Sequence, residues 1–114
     1  MSVARTCRLF GRWRITQADQ WDRDYLDLCG PATILIGDRG HGEISFGALQ
    51  AGLELEYSQS VVFFTWQGSD EMDEAQGSGN AEILKNGTLE ILFSYQNGDE
   101  AILNAKPMTF SAAC

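Results

Sequence analysis

The sequence predicts an all-β fold: an eight-stranded antiparallel barrel with one short helix between its first two strands. Three observations predict it. Short apolar segments follow one another from Pro31 to Pro107, and the gaps between them leave no room for a long helix. Glycine-bearing turns punctuate them, including Asp38-Arg39-Gly40, Asn86-Gly87 and Asn97-Gly98. Several segments alternate apolar and polar residues with the period of two that marks a half-buried strand.

Residues 1–10 read as an N-terminal tail, 11–107 as the barrel domain and 108–114 as a C-terminal tail. The first strand covers residues 11–17. Asp19 can cap a short helix over residues 19–28, with Trp21, Tyr25 and Leu28 at helical spacing on one side. Cys29-Gly30-Pro31 ends it, because glycine closes helices and proline cannot continue one. Strands two and three cover 32–37 and 41–50, and a turn at Ala51-Gly52 leads into the fourth, 53–57. The fifth runs over 61–67, followed by an acidic loop, 68–79. Segments 80–85, 88–95 and 99–106 complete the set.

Parity assigns the faces. Leu53, Leu55 and Tyr57 alternate with Glu54 and Glu56 and point inward, as do Val62, Phe64 and Trp66. Ile44, Phe46 and Ala48 alternate with Glu43 and Ser45, and Leu89, Ile91, Phe93 and Tyr95 with Glu90 and Ser94. The inward set therefore holds no ionised side chain, in keeping with the cost of burying an unpaired charge. By the same parity Leu49, Val61, Phe63, Leu92 and Ile102 fall outside, a group that a two-fold homodimer would bury.

The last two hairpins test the register. Two-residue turns at Asn86-Gly87 and Asn97-Gly98 would set Ile83 beside Glu90 and Tyr95 beside Glu100, burying carboxylates. Three-residue loops, Lys85-Asn86-Gly87 and Gln96-Asn97-Gly98, with the last glycine left-handed, avoid this. They pair Ile83 with Leu89, Ile91 with Leu103 and Phe93 with Ala101, and leave Leu92 opposite Ile102 on the outer face.

Composition narrows the function classes. With 114 residues, 44% hydrophobic and 21% charged, the chain suits one globular core. The net charge is −8, and beyond residue 39 Lys85 and Lys106 stand alone as Lys or Arg among many carboxylates. Such a surface repels nucleic-acid phosphate and anionic membrane, so neither is an expected partner. No apolar run approaches the ~18 residues of a membrane span. Residues 1–10 lack the apolar core of a secretory signal, so none is expected. Cys7, Cys29 and Cys114 match neither a zinc site nor a Cys-x-x-Cys pair. Cys7 and Cys114 could meet, but three reduced thiols in the cytoplasm fit the compartment rule.

Gly11-Arg12-Trp13 resembles the Gly-x-Trp signature of the calycins, the superfamily of lipocalins, avidins and intracellular fatty-acid-binding proteins. The resemblance implies a barrel closed at one end by Trp13, beneath a basic residue late in the last strand, where Lys106 is the available cation. Trp21-Asp22-Arg23-Asp24-Tyr25-Leu26 is similar to the Phe-Asp-x-Tyr-Leu helix of fatty-acid-binding proteins, one residue longer. Residues 21–34, with Gly68-Ser69-Asp70-Glu71-Met72-Asp73, resemble a group of small bacterial proteins without an assigned activity. The chain departs from the calycins in places. Leu103-Asn104-Ala105-Lys106 lacks the Arg-x-Tyr that holds a fatty-acid carboxylate, and the inward faces lack the polar set of avidins.

No catalytic set can be assembled. His41 is the single histidine and shares the outward parity of Glu43, so no nucleophile, base and orienting group converge. Asp70-Glu71-Met72-Asp73-Glu74 could attract calcium but lacks the ligand spacing and glycine of an EF-hand, and a solvated charge run explains it better. Neither a metal nor a cofactor is expected. The inward aromatics Phe46, Tyr57, Phe64, Trp66, Phe93 and Tyr95 either fill a solid core or line a pocket, since an eight-stranded barrel is wide enough for both. The tyrosine and indole groups would suit a small apolar or neutral ligand. The expectation is a non-enzymatic binding module holding such a ligand inside the barrel. The alternative is an acidic interaction protein of inhibitor or immunity type, meeting a basic partner. An open interior favours the first and a filled one the second.

Overall fold

The structure is a computed structural model that describes residues 9–58 and 60–108. Eight antiparallel strands close a barrel in sequential order: β1 (Gly11–Ala18), β2 (Thr33–Ile36), β3 (His41–Phe46), β4 (Leu49–Tyr57), β5 (Val61–Asp70), β6 (Asp73–Ile83), β7 (Leu89–Tyr95) and β8 (Glu100–Pro107), with β8 paired back to β1. One short helix, α1 (Arg23–Leu26), lies between β1 and β2. A proposed meeting of Cys7 and Cys114 lies outside the described residues.

The last two hairpins adopt the register set by keeping carboxylates out of the core. Ile83 pairs with Leu89, Ile91 with Leu103 and Phe93 with Ala101. Gly87 and Gly98 end their three-residue loops at φ of 86° and 100°, a region that glycine enters without strain. Glu54, Glu56 and Glu90 are exposed, and no polar or charged residue among those described is buried.

The structure corrects several local expectations. The helix starts at Asp22, whose carboxylate accepts the Tyr25 N–H at 2.9 Å, and not at Asp19. Asp19 instead extends the β1–β8 ladder, its N–H donating to the Ile102 carbonyl and its carboxylate accepting the Ile102 N–H. The shorter helix turns Leu26 inward and leaves Leu28 60% exposed. Between β3 and β4 the chain reverses at Gly47-Ala48, with Phe46 opposite Leu49, and Ala51-Gly52 sits inside β4. Residues flanking a two-residue hairpin face each other on one side of the sheet, so Leu49 joins Phe46 in the core, reversing its expected outward place. Leu9, expected in the tail, is fully buried and accepts the Trp13 indole N–H at 3.0 Å. Phe10 packs edge-on against Tyr57.

The largest correction concerns residues 68–79. They form no loop but the long β5–β6 hairpin, reversed by Glu71-Met72 with both residues at positive φ. The inner face of β6 reads Ala75, Gly77, Gly79, Ala81. This stripe of small residues lies between the large rings of its neighbours. Phe64 of β5 and Phe93 of β7 flank Gly79, and Trp66 and Tyr95 flank Gly77. A Cβ on Gly79 would stand 2.1 Å from the Leu92 carbonyl oxygen and 2.7 Å from the Phe64 ring. Rings covering strand glycines recover the contact that the missing side chain forfeits.

Two alanine substitutions separate this constraint from ordinary glycine flexibility. Gly79→Ala, forced into the Leu92 carbonyl and the Phe64 ring, lowers stability by about 1–3 kcal/mol. Gly52→Ala, on the outer face with nothing within 4 Å of the new Cβ, raises it by about 0.4–1 kcal/mol. Chemical denaturation of both variants measures the pair, and equal effects would contradict the packing assigned to β6.

Candidate functional site

The barrel has two unlike ends. Because the strands run in sequential order, the β2–β3, β4–β5 and β6–β7 connections share one end with the start of β1. Trp13 fills the core there and is 1% exposed. Gly11, at φ of 125°, lets the chain enter β1 opposite Ile36. Lys106 does not cover Trp13. It is exposed on the outer face and pairs across the ladder with Arg14, while Pro107 stands opposite the tryptophan. The Tyr57 hydroxyl accepts the Gly40 N–H at 2.9 Å and donates to the Gly37 carbonyl, so it ties the β2–β3 turn.

The six aromatics expected to line a pocket divide accordingly. Tyr57 stands at the Trp13 end. Phe46, Phe64, Trp66 and Phe93 meet in the interior and are almost wholly buried. Phe93 stacks on Trp66 at 4.5 Å between ring centroids and meets Phe46 edge-on at 5.3 Å. The Trp66 indole N–H donates to the Ser94 carbonyl at 3.0 Å, so this polar handle serves the protein. These rings occupy the space that a ligand would need. Three clefts open on the outer face or at the rim.

The opposite end is the candidate site. It gathers α1 and the β1–β2, β3–β4, β5–β6 and β7–β8 connections. Leu26 of α1 is buried beneath it, and the Leu26 carbonyl accepts the Gly47 N–H at 2.8 Å. Tyr25 lies directly on Gly47, where a Cβ would come within 2.3 Å of its ring. Asp27, at the end of α1, accepts Arg14 at 2.6 Å and the Ala32 N–H at 3.1 Å, anchoring the helix to β1 and to the entry of β2.

Between α1 and the tips of the β5–β6 and β7–β8 hairpins opens a cleft of about 890 Å³. Trp21, Tyr25 and Tyr95 supply rings to its lining, and Asp70, Glu71, Asp73, Asp99 and Glu100 supply carboxylates. Trp21 stacks on Tyr25 at 5.7 Å and continues inward to Phe46 at 5.2 Å, so the cleft wall is joined to the aromatic core. Asp70 and Asp73 face each other at the hairpin tip, where their like charges repel.

The electrostatics are legible in the two phenols. Burial raises the Tyr95 pKa well above its ordinary value, and the nearby Asp70, Tyr25 and Asp99 raise it further. Tyr25 is also raised, by burial first, with Asp70, Glu71 and Cys29 adding to the shift against a backbone hydrogen bond from Ala48. Both groups report a negative field at the mouth. The field and rings suit a cation bearing some apolar surface.

From sequence Tyr95 is a candidate pocket-lining ring, whereas Trp21 and Tyr25 show only a helical face and residues 70–74 only a charge run. The missed signal was the sorting of loops by end. The connections at the α1 end carry Asp19, Asp22, Asp24, Asp27, Glu71 and Asp99 against Arg23, whereas those at the Trp13 end carry Asp38 with Arg39, and Lys85. His41 is exposed opposite Glu54 and joins no cluster. Among the described residues no group of three His, Cys, Asp or Glu could hold a metal ion, and no helix is long and apolar enough to cross a membrane. No family model, curated protein or solved structure matches the chain.

The raised phenols carry a pH signature. Each favours the folded chain fully below the ordinary tyrosine value of about 10, and that advantage is lost as the pH rises from there through the higher folded-state values. Stability therefore falls on the alkaline side. Tyr95→Phe flattens that fall, which denaturation at a series of alkaline pH values would measure; an unchanged slope would contradict the raised Tyr95 pKa that burial and the nearby charges produce.

Proposed function

We propose that this chain is a non-enzymatic binding module that takes a cationic group of mixed polar and apolar character, an amine or guanidinium, at the mouth beside α1. One observation carries the reading: a single cleft combines the rings of Trp21, Tyr25 and Tyr95 with the carboxylates of Asp70, Glu71, Asp73, Asp99 and Glu100. Aromatic faces attract cations through their quadrupole, and carboxylates supply charge-assisted hydrogen bonds. The packed interior weighs against a neutral ligand inside the barrel and moves the binding role to the mouth and the surface.

Kinship with the calycins belongs to the same reading. Its supports are Gly11-Arg12-Trp13 in β1, the buried Trp13 at one end and the sequential closed barrel. On this reading the chain keeps the calycin frame and has exchanged the internal chamber for a solid aromatic core. We place its work in the cytoplasm, where Cys29, exposed and unpaired, stays reduced.

Spermidine serves as the probe, because it joins several amines through apolar methylenes. Calorimetric titration is expected to show binding that weakens with added salt. Asp70→Asn with Asp99→Asn is expected to lower the affinity by about tenfold or more. No binding at millimolar spermidine, or equal binding by the double variant, would remove the mouth as the site.

A further inference from the structure

We infer that the outer face of β5–β8 is a second, separate docking surface, for a basic protein segment with an apolar centre. Phe63 and Ile102 are 49% and 42% exposed there. Phe63 pairs with Asn80, Asn80 with Leu92 and Leu92 with Ile102, so the four residues form one line across four strands. At about 4.8 Å between neighbouring strands this line spans roughly 14 Å. Exposed Phe63 and Ile102, with half-buried Leu92 and the Asn80 amide between them, form one row of neighbouring positions and not scattered exposure.

Carboxylates rim the line. Glu56 continues it on β4, opposite Phe63. On one side Glu82 and Glu90 stand directly opposite each other, and on the other Glu100 pairs with Ser94. β5, β6 and β7 contain no Lys, Arg or His, and on β8 Lys106 stands at the far end of the strand, past Asn104. Like charges directly opposite on neighbouring strands destabilise a sheet, and neither Glu82 nor Glu90 has an ion-pair partner among the described residues. The free chain thus carries a repulsion that a cationic partner relieves. An apolar centre within a charged rim is the anatomy of an interaction surface.

The same charges decide the occupant. A second copy would bring Glu56, Glu82 and Glu90 against their own kind, so self-association through this face is opposed. A closed barrel has no free strand edge to extend, so the partner must bind through side chains. Lysine or arginine flanking a few apolar residues meets both requirements. This surface shares none of the mouth's rings; Glu100 borders both, and the variants at Phe63 and Ile102 touch this face alone.

The test uses a synthetic helical peptide of leucine and lysine, with a leucine–glutamate peptide as control, and amide shift mapping of the folded protein. The leucine–lysine peptide is expected to perturb amides around Phe63, Asn80, Leu92 and Ile102. Phe63→Ser with Ile102→Ser is expected to weaken it by about tenfold or more. Glu90→Gln is expected to weaken it while raising the thermal midpoint of the free protein, a combination that an ordinary structural glutamate would not give. Asp70→Asn with Asp99→Asn, at the mouth, is expected to leave this affinity within about twofold. Shifts confined to the mouth, or undiminished binding by the Phe63/Ile102 variant, would overturn the inference. So would a dimer in sedimentation that the same double substitution dissolves, because a second copy would then cover the face.

Discussion

The barrel depends on the packing of four large rings over the small inner face of β6. Gly77 and Gly79 leave room that Phe64, Trp66, Phe93 and Tyr95 occupy from the strands on either side. Large and small residues alternate around the wall, which is how a narrow barrel reaches interior packing density. Ala101 and Ala105 on β8 repeat the device on a smaller scale beside Phe93 and Leu89. With Phe46 joined to Phe93 and Trp21 to Phe46, a connected set of rings runs from the centre to the rim.

The proposed function starts from that solidity. A filled interior leaves the two ends and the outer face to meet other molecules. The Trp13 end is tied down by the indole bond to Leu9 and the Tyr57 bonds to Gly37 and Gly40. The end beside α1 carries opposed carboxylates at Asp70 and Asp73 and phenols held protonated by burial and charge. On the flank, Glu82 faces Glu90 beside an exposed apolar line. Repulsions of this kind lower the stability of the free chain.

The legible parts of the fold were those where burial of a charge decides between alternatives. The β6–β7 and β7–β8 hairpins could be registered from sequence because the wrong loop length would bury Glu90 or Glu100. The first two-thirds of β6, residues 73–79, could not be read. Its inward residues, Ala75, Gly77 and Gly79, are too small to register as apolar, and only the rings of the neighbouring strands make them a buried face. The Glu71-Met72 turn lacks the Asn or Gly that usually marks left-handed positions, so the hairpin looked like a loop. Ala51-Gly52 looked like a turn for the opposite reason, although Gly52 sits within β4 between Glu43 and Gln67. The candidate mouth was hidden because its parts come from three connections distant in sequence. Their shared end follows from the sequential barrel order, which sequence did indicate.

Apolar-gas and small-aromatic binding offers the most direct measurement. Benzene enters dry cavities lined by apolar side chains and stabilises proteins that contain them. If the rings fill the barrel, saturating benzene leaves the thermal midpoint of the natural chain unchanged and raises that of Phe93→Ala, whose truncation opens the centre. A midpoint rise in the natural chain, with benzene located among Phe46, Phe64, Trp66 and Phe93, would mean that the barrel holds a chamber and that its function lies inside.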